Sequence, residues 1–484
     1  MKKLTISKLF LYKHRFGIGY AVLALAFLAI IIILPLVSPT GLSTTEMQSA
    51  VTSENLHFSN FTTGELADAP YHALQKISID LFGLSAYAVK LPSIIIAALL
   101  GLLLVLLLNR WFKNNVAMLA SIIAILSTPF LYLAGTGTPL IMLVFWPVLL
   151  LWLGSKIQGR NHPKPIYCFL FAFALILALF TPYMIYLAIF IVLFAILNPH
   201  LRFTIKKLPK IPLIVTGVII LSGLAALGYG FFRHPDLVAQ LFTATSFDGS
   251  QYLNNIKAGI LPFFFGNNSD SVFLSPMFGL AALALALVGL ISTAKGFFAS
   301  RNAIASCFIV FAVILSGFNP EAAVLLVIPF AILTAHGLRY ILEKWYGLFP
   351  ENPYARVFAI FPISLFLGII IVSDLSHYIF GYRYNPAVAD QFNNDLVLIQ
   401  ENLLDQPTTL LIAANTTEYN FYQLLKDNNL TVASAIPNQP TGRLATLGKW
   451  PEKINGELNT IITSPKSHNS DRIYVYTVKT ENKE

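Results

Sequence analysis

Few side chains in this sequence could do chemistry, and they fall in a handful of polar stretches. Glu46 closes the run Gly41-Leu42-Ser43-Thr44-Thr45-Glu46, His72 and Lys76 follow at a spacing of one helical turn, and Arg233 and Arg383 stand in later stretches. A carboxylate held at a bilayer surface can take a proton from a hydroxyl or an amine. Cationic side chains nearby can hold a phosphate leaving group. On residue type alone, Glu46 is either such a base or a solvated loop acid. Lys76, Arg233, Arg383 and His72 are either phosphate ligands or plain interfacial residues. No Gly-rich phosphate loop and no Cys/His metal spacing accompanies them. Cys168 and Cys307 lie in apolar runs and read as packing residues, which excludes a disulfide scaffold.

The frame that must position these groups is apolar. The 484 residues are 56% hydrophobic and 11% charged, against about 45–50% and about 25% in a soluble domain. A soluble globular enzyme and a disordered chain are both excluded. Stretches free of Asp, Glu, Lys and Arg reach the roughly 20 residues that a spanning helix needs. Two of them, 114–155 and 165–201, are too long for one span. They break at Gly135-Thr136-Gly137-Thr138-Pro139 and at Thr181-Pro182. Eleven helices are expected, at 16–37, 86–108, 116–133, 138–154, 166–180, 182–198, 210–231, 275–293, 302–317, 321–339 and 357–378. The runs are continuously apolar, not alternating, which argues against a membrane β-barrel.

Lys and Arg placement sets the sides. The basic residues Lys2, Lys3, Lys8, Lys13 and Arg15 precede the first run, so the N-terminus is read as cytoplasmic and the first run as an uncleaved span. On this topology the inner side holds nineteen of the 32 Lys and Arg residues and only two acids, Glu343 and Glu351. The net charge of +9 then hides a strongly polarised molecule whose acids lie almost wholly outside. Lys90, Glu321, Arg339 and Asp374 fall near span ends, where snorkelling accounts for them.

Three regions lie outside the bilayer. The loop 38–85 carries a short interfacial helix, with Asp68 as N-cap, Pro70 in the first turn and Gly83 at the end. Leu74, Ile77 and Leu81 form its apolar stripe, with His72 and Lys76 on the other side. The run Ile260–Gly266 reads as an aromatic belt anchor. The chain divides into a transmembrane domain, 1–380, and a small α/β domain, 381–484. In the latter, strands are expected at Thr408–Ala413, Leu430–Ala435, Asn459–Thr463 and Arg472–Val478, with a helix at Glu418–Lys426.

Several motifs, in order, resemble one family. Leu81-Phe82-Gly83-Leu84-Ser85 with Ala88-Val89-Lys90-Leu91-Pro92-Ser93 is similar to the entry to the second span of bacterial GT-C glycosyltransferases. These are the integral-membrane relatives of protein O-mannosyltransferases and lipid A aminoarabinose transferase. Gly41–Glu46 resembles their first outer loop, and Ala69-Pro70-Tyr71 the start of their interfacial helix. Ser127–Phe130 resembles the end of their third span, and Phe349–Arg356 the turn before their last. The resemblance implies an all-α polytopic fold with a sugar donor on polyprenyl phosphate. It also implies an extracytoplasmic glycan, lipid or protein acceptor, single displacement with inversion, and Glu46 as base. Lys76, Arg233 or Arg383 would neutralise the donor phosphate, with His72 nearby. The sequence departs from the pattern at Thr45, where the family has Asp, and at 134–139, which holds no acid. A divalent metal is left open, and no nucleic acid is expected. The alternatives are a catalytically degenerate relative that binds lipid-linked sugar or a partner and, on weaker grounds, a transporter or flippase.

Overall fold

The computed structural model describes residues 15–56, 66–157, 165–197, 199–206, 208–242, 249–266, 273–294, 300–348, 353–425, 427–437, 443–448, 450, 454, 456–463 and 472–477. The lysines before Arg15, the basic residues Arg160, Lys164, Lys207 and Lys295, and the motif start Phe349–Asn352 lie outside them.

The first helices are α1 (Arg15–Val37), α2 (Thr44–Asn55), α3 (Ala69–Phe82), α4 (Ala86–Trp111), α5 (Asn114–Ile125) and α6 (Thr128–Gly135). Then come α7 (Met142–Ile157), α8 (Pro165–Ala178), α9 (Met184–Leu197), α10 (Pro199–Lys206), α11 (Lys210–Arg233), α12 (Pro235–Phe242) and α13 (Gly249–Phe264). The last large ones are α14 (Leu280–Ala294), α15 (Ser300–Ser316), α16 (Val327–Leu348) and α17 (Pro353–Tyr384). Each expected apolar run contains a helix, although the one expected at 275–293 begins only at Leu280. Both expected breaks are present: α6 ends at Gly135, and α8 and α9 are separated at 179–183, where Tyr183 takes a φ of 66°. The run expected at 116–133 is bent by 60° between α5 and α6, because Ser127-Thr128-Pro129 cannot continue the ladder.

Five helical stretches among the described residues are long and apolar enough to cross a membrane, and the bent α5–α6 pair makes a sixth. Their environments differ. The stretch Pro320–Gly347 is 89% buried within the bundle, whereas Lys210–Arg233, at mean hydropathy 2.3, is 11% buried. An apolar helix that turns most of its surface outward needs lipid as its solvent. The helical core is a single cluster running through α4–α8, α14–α17 and the turn that leads into α16.

The C-terminal sheet has strands β3 (Thr408–Leu411), β4 (Leu430–Ala433), β5 (Arg443–Leu447), β6 (Glu457–Ile462) and β7 (Ile473–Thr477). A two-stranded ladder of β1 (Leu42–Ser43) and β2 (Phe392–Asn393) precedes it. The sheet order is β4-β3-β5-β7-β6, with β3 parallel to β4 and β5, and β7 antiparallel to β5 and β6. The sequence reading had no strand at Arg443–Leu447, although it occupies the sheet's centre. Its five residues, Arg-Leu-Ala-Thr-Leu, are too few and too mixed to show a period.

The sheet unit is fused to the membrane part by a second core. Leu42, Met47, Val51, Ile79 and Val89 from the first loop and α2–α4 pack with Leu396, Ile399, Phe421 and Tyr422. The β1–β2 ladder staples the same junction, Leu42 opposite Asn393 and Ser43 opposite Phe392. It comes so close that a Cβ on Gly41, which sits at φ +86°, would collide with the Asn393 carbonyl.

Candidate active site

Glu46 is built into this junction. Ser43 caps α2 with the reciprocal pattern of a capping box: its hydroxyl accepts from the Glu46 N–H, and its own N–H donates to Glu46 Oε2 at 2.8 Å. The Ser-x-x-Glu spacing was the signal for α2, which the sequence reading left as loop. The other carboxylate oxygen, Oε1, accepts from the Gly137 N–H at 2.6 Å. Lys90 Nζ stands 3.9 Å from the same oxygen and donates to the Pro39 carbonyl at 3.0 Å. Both side chains are buried, at 0% and 2% exposure, and the Phe392 ring lies 5.8 Å from the ammonium. So Lys90 does not snorkel. It is the sole ion-pair partner of Glu46 among the described residues.

Gln75 ties the same elements together. Its Oε1 accepts from Ser49 and Ser53, and its Nε2 donates to the Val89 and Gly137 carbonyls at 3.0 and 2.9 Å. All four hydrogen-bonding positions of the amide are used. Gly137 is thereby held on both sides, by Glu46 through its N–H and by Gln75 through its carbonyl. The loop 134–139 lacks an acid but is the partner of the acid in the first loop.

The remaining sequence candidates make no direct bond to Glu46 among the described residues. Lys76 is half-buried, and its Nζ donates to the carbonyls of Glu54 and Leu56 at 2.8 and 2.9 Å, closing the C-terminal end of α2. His72 is buried, with Nδ1 2.8 Å from Ser53 Oγ. That hydroxyl also faces the Ser49 carbonyl and Gln75 Oε1. With one proton for two acceptors, it receives from His72, which fixes the neutral Nδ1–H tautomer. Burial pushes His72 down to about 4, against hydrogen bonds that raise it. Arg233 is exposed and donates to Tyr229 Oη at 3.0 Å. Arg383, also exposed, lies over the Tyr384 ring. No hydrogen bond or ion pair joins Lys76, Arg233 or Arg383 to Glu46 among the described residues.

Asp68 departs from its expected role. It takes a left-handed conformation, φ 55°, and makes no side-chain cap for α3. Its N–H donates to the Phe180 carbonyl at 2.7 Å. Its carboxyl meets the Thr181 hydroxyl, which in turn accepts from Trp146 Nε1 at 3.0 Å. Oδ1 is shut from solvent without a partner, and burial pushes the carboxyl up to about 8. The rest of α3 is as expected. Leu74, Ile77 and Leu81 are exposed, Pro70 sits in the first turn and Gly83 ends the helix at φ 73°.

The described residues do not fit a divalent cation at Glu46. Its oxygens already take two N–H donors and an ammonium, and no three acids, histidines or cysteines gather among the described residues.

The fold has counterparts among known proteins. Residues 69–227 match the sequence model of the dolichyl-phosphate-mannose-protein mannosyltransferases. No curated protein matches by sequence. The apo structure of ArnT from Cupriavidus metallidurans superposes with a TM-score of 0.56 at 12% identity, covering 96% of this chain and 98% of that one. The fold is that of the GT-C glycosyltransferases. ArnT bound to undecaprenyl phosphate matches at TM-score 0.53 and 12% identity, over 95% of this chain and 98% of its own. The membrane part and the sheet unit of this chain therefore both have counterparts in one solved architecture.

Proposed function

We propose that the protein is a multi-pass plasma-membrane glycosyltransferase. It moves a hexose or pentose from a polyprenyl-phosphate donor to an extracytoplasmic glycan, lipid or protein. The N-terminus is cytoplasmic, and the sheet unit faces out. The observation that carries this reading is the likeness to ArnT over nearly the whole of both chains, one of those structures holding undecaprenyl phosphate. Supporting it is the buried Glu46–Lys90 pair, a costly arrangement that ties together the first loop, the 134–139 loop and the sheet unit. In this reading Glu46 sets the site's shape, His72 and Lys76 hold α2 beneath it, and the exposed Arg233 and Arg383 meet the donor phosphate.

The test uses the full chain in phospholipid vesicles, undecaprenyl-phosphate-linked radiolabelled hexoses and pentoses, and envelope membranes as acceptor. Sugar transfer above the protein-free level is expected. Glu46→Gln lowers it about a hundredfold, because an amide keeps one acceptor oxygen and turns a donor towards the other backbone N–H. A second reading, a binding protein without transfer, is favoured by the fully engaged Glu46 and by exposed Thr45, which bonds Ser43 Oγ at 2.9 Å. Donor binding with no transfer of any sugar decides for it.

A further inference from the structure

A transfer site needs a carboxylate whose lone pairs are free, and Glu46 does not supply one. Its Oε2 and Oε1 each accept a backbone N–H, and Lys90 flanks the second. A proton taken up there would have to displace a hydrogen bond inside a closed junction. Glu321 is built the opposite way. It lies on the turn between α15 and α16, in a seven-residue 3-10 segment at Pro320–Leu326.

The backbone of that turn is tied down from several sides. The Glu321 N–H donates to Asn319 Oδ1 at 2.9 Å. From α13, Tyr252 Oη donates to the Ile314 carbonyl at 2.9 Å and Asn255 Nδ2 to the Gly317 carbonyl at 3.1 Å. Gly259, one turn on along α13, lets Pro320 pack so close that a Cβ there would come within 2.7 Å of its carbonyl. The residues after Glu321, Ala322 to Leu325, are fully buried. Glu321 itself is half-buried, and among the described residues its carboxylate has no hydrogen bond and no ion pair. A fixed backbone under a free carboxylate is the arrangement a reacting group needs.

Tyr132, on α6, belongs to the same buried core as Ala322–Leu326, the residues that follow Glu321, and lies in the electrostatic field of the Glu321 carboxylate. Tyr132 stacks on Tyr382 with ring centroids 5.8 Å apart and meets Phe273 edge-on at 5.5 Å. Its hydroxyl has no hydrogen-bond partner among the described residues and is not among the atoms shut from solvent. The Tyr132 hydroxyl and the Glu321 carboxylate are thus two free polar groups on one buried core, the first beside the aromatic rings of Tyr382 and Phe273.

Resting on the transferase reading above, we propose that Glu321 is the general base that contacts the acceptor. Glu321 takes the proton of the acceptor hydroxyl or amine. The acceptor oxygen or nitrogen forms its bond to the anomeric carbon, and the carbon–oxygen bond to the polyprenyl phosphate breaks. The electron pair leaves on the phosphate. Tyr132 holds the acceptor or the sugar by its free hydroxyl.

The experiment measures transfer from undecaprenyl-phosphate-linked radiolabelled sugar to envelope membranes by wild-type protein, Glu321→Gln and Glu321→Asp, each in vesicles. Loss of a base costs about 10²–10⁴-fold in rate. Glu321→Gln is expected to lower kcat at least a hundredfold with the donor KM unchanged within about twofold. Glu321→Asp keeps a carboxylate and retains activity well above the Gln variant. A structural role gives the reverse order, because Gln is isosteric and Asp is not. Gln activity equal to or above Asp, or a loss confined to KM, overturns the assignment while leaving the transferase reading intact. Wild-type protein that transfers no sugar overturns both.

Discussion

Two acids of the same loop, Glu46 and Asp68, show how differently burial can be managed. Both flank α2 and α3, and both close a junction between helices. Glu46 is met by two backbone N–H groups and an ammonium. Asp68 meets one hydroxyl, and its Oδ1 has nothing. Around the first, the surroundings replace the water that burial removes. The second keeps its proton because its surroundings do not. What distinguishes them is the neighbour brought from far along the chain: Gly137 and Lys90 for Glu46, Thr181 for Asp68.

The largest effect should come from stripping Glu46 of its partner. Lys90→Met leaves a buried carboxylate uncompensated, which costs about 3–5 kcal/mol. The double variant Glu46→Gln/Lys90→Met should recover part of that loss. Thermal unfolding of the purified protein in detergent reads both. A Lys90→Met protein as stable as wild type would break the comparison, since Glu46 would then be satisfied by the N–H donors alone.

Asp68 should behave in the opposite sense. Its carboxyl is held near 8 in the fold and ionises near 3.9 in an unfolded chain. Its stabilising contribution is full below the unfolded value and is lost as pH rises through about 8. Asp68→Asn removes a charge that burial opposes, so it should stabilise the protein at pH 8 by about 1–3 kcal/mol and change little at pH 4. Unfolding midpoints at the two pH values check the sign. A variant less stable than wild type at pH 8 would place the folded carboxyl among unseen donors.

How far the sequence reaches can be judged from these same residues. The helical runs were legible because charge-free length is a local property, and so were the breaks at Gly135–Pro139 and Thr181, which carry turn residues. Glu46 was legible as a residue of interest. Its burial was not, because the groups that satisfy it lie 44 and 91 positions away. Lys90 read as an ordinary span-end cation for the same reason. Gln75, with all four of its hydrogen bonds made, carried no pattern that would separate it from a surface glutamine. Asp68 followed the cap rule in sequence and broke it in space, because the Phe180 carbonyl and the Thr181 hydroxyl outbid the helix end for its groups.

His72 gives the smallest effect at neutral pH and the sharpest contrast in slope. It is held near 4 in the fold and titrates near 6.5 when unfolded. The unfolded chain therefore binds the extra proton between those values, and stability from this group rises with pH from about 4 to 6.5. Asp68 acts with the opposite sign from about 3.9 to 8. Over the shared window the two slopes offset each other, one proton against one. From this pair alone, wild-type stability is flat between pH 4 and 6.5 and then falls towards pH 8. Asp68→Asn should uncover a rise below 6.5. His72→Asn, which keeps a donor near Ser53, should give a fall through the whole range and cost about 1 kcal/mol at pH 7. Unfolding midpoints taken at half-unit steps separate the three curves. Parallel curves would mean that neither group's proton is governed by the junction it sits in.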